Sequence, residues 1–145
     1  MMLPAVLQKY ALFGGLMEEQ IEELLPFMLE EKYGIDEFII TEGKSNDRIC
    51  FIIEGQVAVL KNDLILARFN QGEAFGEMEV LDVMPAAASV KTLTPVTVMT
   101  ISNKSLREIY KKDITVFSLV IMNLARELVR RLRKMDEKLA LLTPN

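Results

Sequence analysis

Histidine and tryptophan are absent from the 145 residues, and cysteine occurs once. Without an imidazole there is no histidine-dependent triad, and no side chain whose ordinary pKa suits acid–base work near neutrality. One thiol cannot supply the several nitrogen and sulfur ligands of a zinc, haem or iron–sulfur site, so no metal is expected. It also excludes an intrachain disulfide, which suits a reducing compartment. No run of 18 apolar residues exists, so no membrane-spanning helix is expected. The opening M-M-L-P-A-V-L-Q has no basic stretch ahead of a long apolar core, unlike a signal peptide. The expected location is cytoplasmic.

Half of the residues are hydrophobic and 26% are charged, the composition of an ordinary globular chain. This length is one domain's worth and buries roughly two thirds of its unfolded surface. The formal charge of −4 disfavours a whole-chain nucleic-acid or acidic-membrane binder. That charge is unevenly placed. Residues 18–37 hold Glu18, Glu19, Glu22, Glu23, Glu30, Glu31, Asp36 and Glu37 against Lys32 alone, whereas 119–142 are basic, with Arg126, Arg130, Arg131, Arg133, Lys134 and Lys138. Two solvated helix faces explain both blocks without a partner.

Three blocks follow one another. Residues 3–33 read as helix, with Ile21, Leu24, Leu25 and Met28 at helical spacing, a break at Gly14-Gly15 and a kink or end at Pro26. From residue 37 to 101 the period changes to short β-branched runs, beginning at Glu37, Arg48, Gln56, Leu64, Ala88 and Val96. Turn residues such as Gly43, Gly55, Asn62-Asp63, Gly72 and Pro95 bound them, the mark of an antiparallel sandwich or barrel. Cys50, inside one run, reads as a small core residue. Ser102 then caps one helix, and Asp113 starts a longer one with no Gly or Pro before Pro144.

Within the long helix, Ile121, Ala125, Leu128, Leu132, Met135, Leu139 and Leu142 alternate four- and three-residue steps, with Ala125, Leu132 and Leu139 at heptad position a. Arg131 at g and Asp136 at the next e have the spacing that pairs across a parallel two-stranded coiled coil. The alternative is an amphipathic helix lying on its own sheet, as Phe117, Val120 and Leu124 near its start are placed to do. The expectation is a homodimer through this helix.

Two glycine motifs remain. Gly43-Lys44-Ser45 resembles the end of a Walker loop, but the position of that loop's first glycine is Phe38, so it reads as a turn. Gly72-Glu-Ala-Phe-Gly-Glu-Met-Glu-Val-Leu81, leading to Pro85-Ala-Ala-Ala-Ser-Val90, is a loop able to expose backbone N–H groups around one carboxylate. Such amides can cradle a phosphate, and such a carboxylate can hold a ribose diol.

At this stretch the chain resembles the cyclic nucleotide-binding domain of the catabolite-activator class of bacterial regulators, shared with protein kinase A regulatory subunits and gated channels. Leu12-Phe-Gly-Gly-Leu16 and Leu24-Leu25-Pro26 match the family's opening helices. The run T-E-G-K-S-N-D-R-I-C-F-I-I-E-G-Q-V-A-V from Thr41 to Val59 matches its signature strand pair, with Asn46 at a usual glycine position. Gly72–Met78 matches the start of its phosphate-binding cassette. The resemblance implies a mainly β fold: an eight-stranded antiparallel jelly roll with flanking N-terminal helices in residues 1–112, then a dimerising helix in 113–145. It also implies that Glu77 binds ribose, that Gly76 and Met78 supply backbone donors, and that the ligand is cyclic AMP or cyclic GMP.

The departures from the pattern bear on function. Where ligand-binding members carry an arginine on the cyclic phosphate, followed by Ser or Thr, this chain has Ala86 and Ala87. Deleting one partner of such a buried contact costs ~2–5 kcal/mol, tens to thousands of fold in affinity. Glu79 replaces a small neutral residue beside the phosphate, and no Ser or Thr lies between Ser118 and Thr143 to hold a base. Glu77 and its glycines have two readings: a working site, or a turn that the jelly roll needs, with Glu77 capping nearby amides. The chain ends at Asn145, before the helix-turn-helix module of DNA-binding relatives, so no DNA binding is expected. No carboxylate sits in a pair with a base or metal motif, so no enzyme is expected. The expectation is a regulatory domain with weak or lost cyclic nucleotide binding. The alternatives are a binder of another small molecule in an apolar pocket of Met78, Val83, Met84 and Ala86, or a protein–protein interaction module with a vestigial pocket.

Overall fold

A computed structural model describes residues 4–142. Its order is α1 (Pro4–Leu7), a 3-10 turn (Ala11–Phe13), α2 (Glu18–Leu24), a second 3-10 turn (Leu25–Phe27), β1 (Leu29–Tyr33), β2 (Phe38–Ile40), β3 (Arg48–Glu54), β4 (Val57–Lys61), β5 (Leu64–Phe69), β6 (Ala74–Phe75), α3 (Glu77–Asp82), β7 (Ser89–Thr92), β8 (Val96–Ser102), α4 (Asn103–Lys112) and α5 (Ile114–Leu142). The strands form two antiparallel four-stranded sheets, ordered β1-β8-β3-β6 and β2-β7-β4-β5. This is the jelly-roll arrangement that the sequence leads one to expect.

β3 shows why the arrangement holds. Cys50 and Ile52 point between the sheets, against Val57, Phe75, Val90, Val96 and Val98. Ile49 and Phe51 point the other way, into a second core of helix residues that includes Leu7, Phe13, Ile21, Leu106, Val116 and Leu124. A strand covered on both faces reads as a continuous apolar run, which is what Ile49–Ile53 is. Phe51 meets both Tyr10 and Phe13 edge-on, each with ring centroids 5.2 Å apart. Between β3 and β4 the chain turns at Gly55 with φ of 100°, where a Cβ would lie 2.3 Å from the Pro95 carbonyl oxygen. Asn62 and Asp63 both take positive φ, 53° and 63°, and close the β4–β5 hairpin in two residues.

One expected element changes type. Residues 29–33, read as helix from the sequence, form β1, paired in register with β8 from Leu29–Thr100 to Tyr33–Val96. Pro26 ends the helical segment in a 3-10 turn, and the five residues that follow find backbone partners along β8. Tertiary pairing outweighs local propensity there.

α5 is 29 residues long, about 43 Å at the helical rise. Asp113 caps it, its Oδ1 accepting from the backbone N–H of Thr115 at 3.1 Å and of Val116 at 3.2 Å. Val116, Val120 and Leu124 are buried against the rest of the chain, and Phe117 packs at the edge of the same core. Asn123 is also buried and donates to the carbonyls of Leu12 at 3.0 Å and Gly14 at 2.8 Å. From Leu132 to Leu142 every residue is exposed. Among the described residues, no helix is long and apolar enough to cross a membrane.

Candidate functional site

The glycine-rich cassette runs from β6 through α3 and back towards β7. Gly76 holds φ of 85° immediately before α3, and a Cβ there would lie 2.7 Å from the Arg48 carbonyl oxygen. This turn drives Glu77 inward, where it is only 4% exposed. Burial raises its pKa above the ordinary carboxylate value; its own backbone amide and Arg131 pull the other way, while Glu127 and Glu79 push it further up.

The partner of Glu77 comes from α5. Arg131 Nη1 donates to Glu77 Oε1 at 3.1 Å, across 54 positions of sequence. Arg131 Nη2 donates to Glu127 Oε1 at 2.8 Å and also to the Ala74 carbonyl. Its guanidinium carbon lies 4.1 Å from the centroid of the Phe69 ring, a cation–π contact. Glu127 Oε1 accepts in turn from the Ala74 N–H at 3.3 Å. Ala74 belongs to β6, the two-residue edge strand of its sheet. Both backbone groups of Ala74 are therefore engaged by two side chains one helical turn apart. Two atoms of the cluster are buried without a partner: Glu77 Oε2 and Arg131 Nε.

The other side of the cassette is organised by Asn46. Its amide nitrogen donates to the carbonyls of Arg48 at 2.9 Å and Gly76 at 3.1 Å, and stands 3.5 Å from Glu79 Oε1. Its amide oxygen accepts from Arg48 Nη1 at 3.0 Å. Asn46 is absent from the left-handed residues, so its place in a usual glycine position reflects these bonds and not a tolerance for positive φ. Arg48 is itself held by Glu31, its Nε 2.8 Å from Glu31 Oε2. Burial raises the Glu79 pKa, and the Asn46 amide opposes the rise.

Ala86 is buried in the core between the sheets. Its N–H donates to the Lys44 carbonyl at 2.9 Å and its carbonyl accepts from Gly43 at 2.8 Å, so both backbone groups are committed to the β2–β3 turn. Ala87 is exposed, and its carbonyl accepts from Lys61 Nζ at 2.7 Å. Met78, Val83 and Met84 are 60%, 78% and 59% exposed, so they do not close an apolar pocket around Ala86. Among the described residues, no cluster of three or more potential metal-ligating side chains occurs.

Four members of the α5 seam, Leu132, Met135, Leu139 and Leu142, are exposed apolar residues. Ile121 and Leu128 are half-buried, and Ile121 lines a cleft of about 220 Å³ with Leu106, Tyr110 and Phe117 of its own chain. Arg131 is not at the seam's edge as the heptad assignment has it. It is turned into the cassette. A signal for this is present in the sequence: Phe117, Leu124 and Arg131 follow each other at seven-residue steps, and the first two face the barrel. Glu127, one turn before Arg131, shares that stripe's border, whereas Phe69 and the linking role of Asn46 carry no sequence signal.

A buried carboxylate on a glycine turn thus sits inside a jelly roll closed by a long helix. Residues 30–113 match the family described as cyclic nucleotide-binding domain, and the chain belongs to that family. It is 28% identical over 126 residues to the cGMP-dependent protein kinase egl-4 of Caenorhabditis elegans, covering 87% of this chain and 15% of the kinase. To the cyclic AMP receptor protein of Thermus thermophilus it is 31% identical over 137 residues, 91% of this chain and 62% of that protein. A crystal structure of a cyclic nucleotide-binding domain from Methylobacillus flagellatus superposes with a TM-score of 0.89 at 25% identity, over 99% of this chain and 83% of that one. The chain thus spans about one seventh of the first relative's length and under two thirds of the second's.

Proposed function

We propose that this chain is a non-enzymatic, ligand-responsive regulatory domain whose affinity for cyclic nucleotides is weak or lost. Residues 1–112 form the sensing part and 113–145 the helix through which two copies pair, with Ile121, Ala125, Leu128, Leu132, Met135, Leu139 and Leu142 at the contact. Gly76, Glu77, Met78, Ala86 and Ala87 frame the ligand site. The lone buried cysteine fits a cytoplasmic setting.

The observation that carries the reading is the state of Ala86. A methyl group, with both neighbouring backbone groups engaged, stands where the family places the arginine on the phosphate, while Glu77 is kept buried and incompletely bonded. A ligand acts on such a domain only by preferring one arrangement of α5 over another. Exposed apolar residues along the outer half of α5 support pairing.

Calorimetric titration with cyclic AMP and cyclic GMP up to millimolar concentration tests it. The expected result is no saturation, or a Kd weaker than about 100 μM. Saturable binding near 1 μM would show that the arginine is compensated. A second reading, an interaction module without a ligand, draws on the exposed acids of α2 and the exposed bases of α5. A partner held that way is lost at high salt.

A further inference from the structure

Glu77 and Arg131 form one ion pair, yet each keeps one buried atom unbonded: an acceptor, Glu77 Oε2, and a donor, Arg131 Nε. Buried polar atoms are normally satisfied, so an orphan of each kind on the two halves of one pair calls for a group that both donates and accepts. A hydroxyl is the smallest neutral ligand group that does both from a single atom.

The charges around the site bear on what else the ligand carries. From α3 come Glu77 and Glu79, and from α5 come Glu127 and Arg131. Beside Asn46 stands Arg48, held by Glu31, and beside Ala87 stands Lys61, 3.5 Å from Glu42. Five carboxylates thus meet three cations, and each of the three is already in an ion pair. Lys44, whose carbonyl pairs with Ala86, is itself exposed. An anion entering here meets a net negative field with no buried, unengaged cation to receive it. A neutral diol meets no such cost.

We propose that the cassette takes an uncharged ribofuranoside, a nucleoside, in preference to any cyclic nucleotide, its sugar hydroxyls completing the bonding of Glu77 and Arg131. This deepens the ligand-site reading above and rests on it. Both orphan atoms are inaccessible in the closed arrangement, so entry requires Arg131 to move. The segment that must yield is the exposed part of α5, tied to the barrel at Glu127 and Arg131. Occupancy of the site and displacement of the helix are then one event.

The test is calorimetry of the full chain with adenosine, guanosine, cyclic AMP and cyclic GMP, joined by 2′-deoxyadenosine and 3′-deoxyadenosine. Expected is saturable binding of a nucleoside at least tenfold tighter than its cyclic phosphate, with a further loss of tenfold or more on removing at least one hydroxyl. Glu77→Gln, checked for folding by circular dichroism, removes the acceptor's charge and should weaken the nucleoside at least tenfold. The deoxy ligands need no variant, so the test survives a misfolded one. Cyclic nucleotides binding as tightly as nucleosides, or more tightly, overturn the preference and leave the ligand site standing. No binding of any of the four parent ligands overturns both.

Discussion

The side-chain amide of Asn123 donates to the Gly14 carbonyl at 2.8 Å and so fastens the first third of α5 to the N-terminal turn. The same nitrogen bonds the Leu12 carbonyl, while Arg126 donates to the amide oxygen at 3.3 Å. A single buried residue satisfies two carbonyls that no other element reaches in the described contacts. Asn123→Ala should therefore cost about 1–3 kcal/mol in urea unfolding, the usual penalty for buried polar groups left unpaired. Asn123→Asp should do no better, because a carboxylate cannot donate. A stable Asp variant would show that the donor bonds are dispensable.

Glu77 gives a pH dependence of definite sign. Burial raises its pKa in the folded chain, so the charged form is disfavoured there relative to the unfolded chain. Acidification through the folded pKa, down to the ordinary carboxylate value, relieves that burden in the wild type but cannot do so in Glu77→Gln. The stability difference between variant and wild type should move in the wild type's favour as pH falls from 7 towards 5. Glu31 acts oppositely. Burial tends to raise its pKa, but bonds from Arg48 and Tyr33 outweigh it and hold the carboxyl low, so its contribution is kept until more acid conditions. Urea midpoints for both proteins across this range decide the matter, and a difference that is flat with pH would contradict it.

Pairing through α5 is checked by Leu132→Asp and, independently, by Met135→Asp. Both residues are 59% exposed in the single chain, so neither change disturbs the protomer's packing. Sedimentation should give dimers for the wild type and monomers for both variants, each with an unchanged far-ultraviolet dichroism spectrum. Dimeric variants would move the interface elsewhere.

Cys50 should be inert. It is fully buried, and burial pushes its thiol up to about 12, with Arg48 opposing and Glu31, Glu77 and Glu79 adding to the rise. At pH 8 about one molecule in ten thousand would carry the thiolate. A thiol-reactive disulfide reagent should label nothing in the native state over an hour and one equivalent after unfolding.

An antiparallel sandwich or barrel was legible because β-branched runs alternate with turn residues, and the family resemblance carried by motifs such as Gly72–Met78 implied the jelly roll. The caps at Ser102 and Asp113 were legible for the same local reason, and Ser102 accepts from Ser105 as a cap should. β1 was not, since Glu30 and Glu31 continue a helical pattern and only the presence of β8 makes them a strand. Arg131 was not either. A heptad count treats a helix as having one apolar face, whereas α5 has a stripe against its own barrel and a second, solvent-exposed one, and position 131 lies on the first. Ala86 was visible as a departure, but its burial and its two backbone bonds depend on the β2–β3 turn, where Gly43 lies 43 positions before it.

The placement of Arg131 along α5 has a mechanical consequence. Taking Leu124 as the last fully buried residue, Arg131 lies ~10 Å farther along the axis and Leu142 ~27 Å. A helix tilting rigidly about that fulcrum magnifies any displacement at Arg131 by the ratio of the two arms. A shift of ~2 Å at Arg131 becomes ~5 Å at Leu142. The exposed stripe from Leu132 to Leu142 lies entirely on the long arm, so the smallest movement in the cassette is felt most by whatever rests against the helix tip.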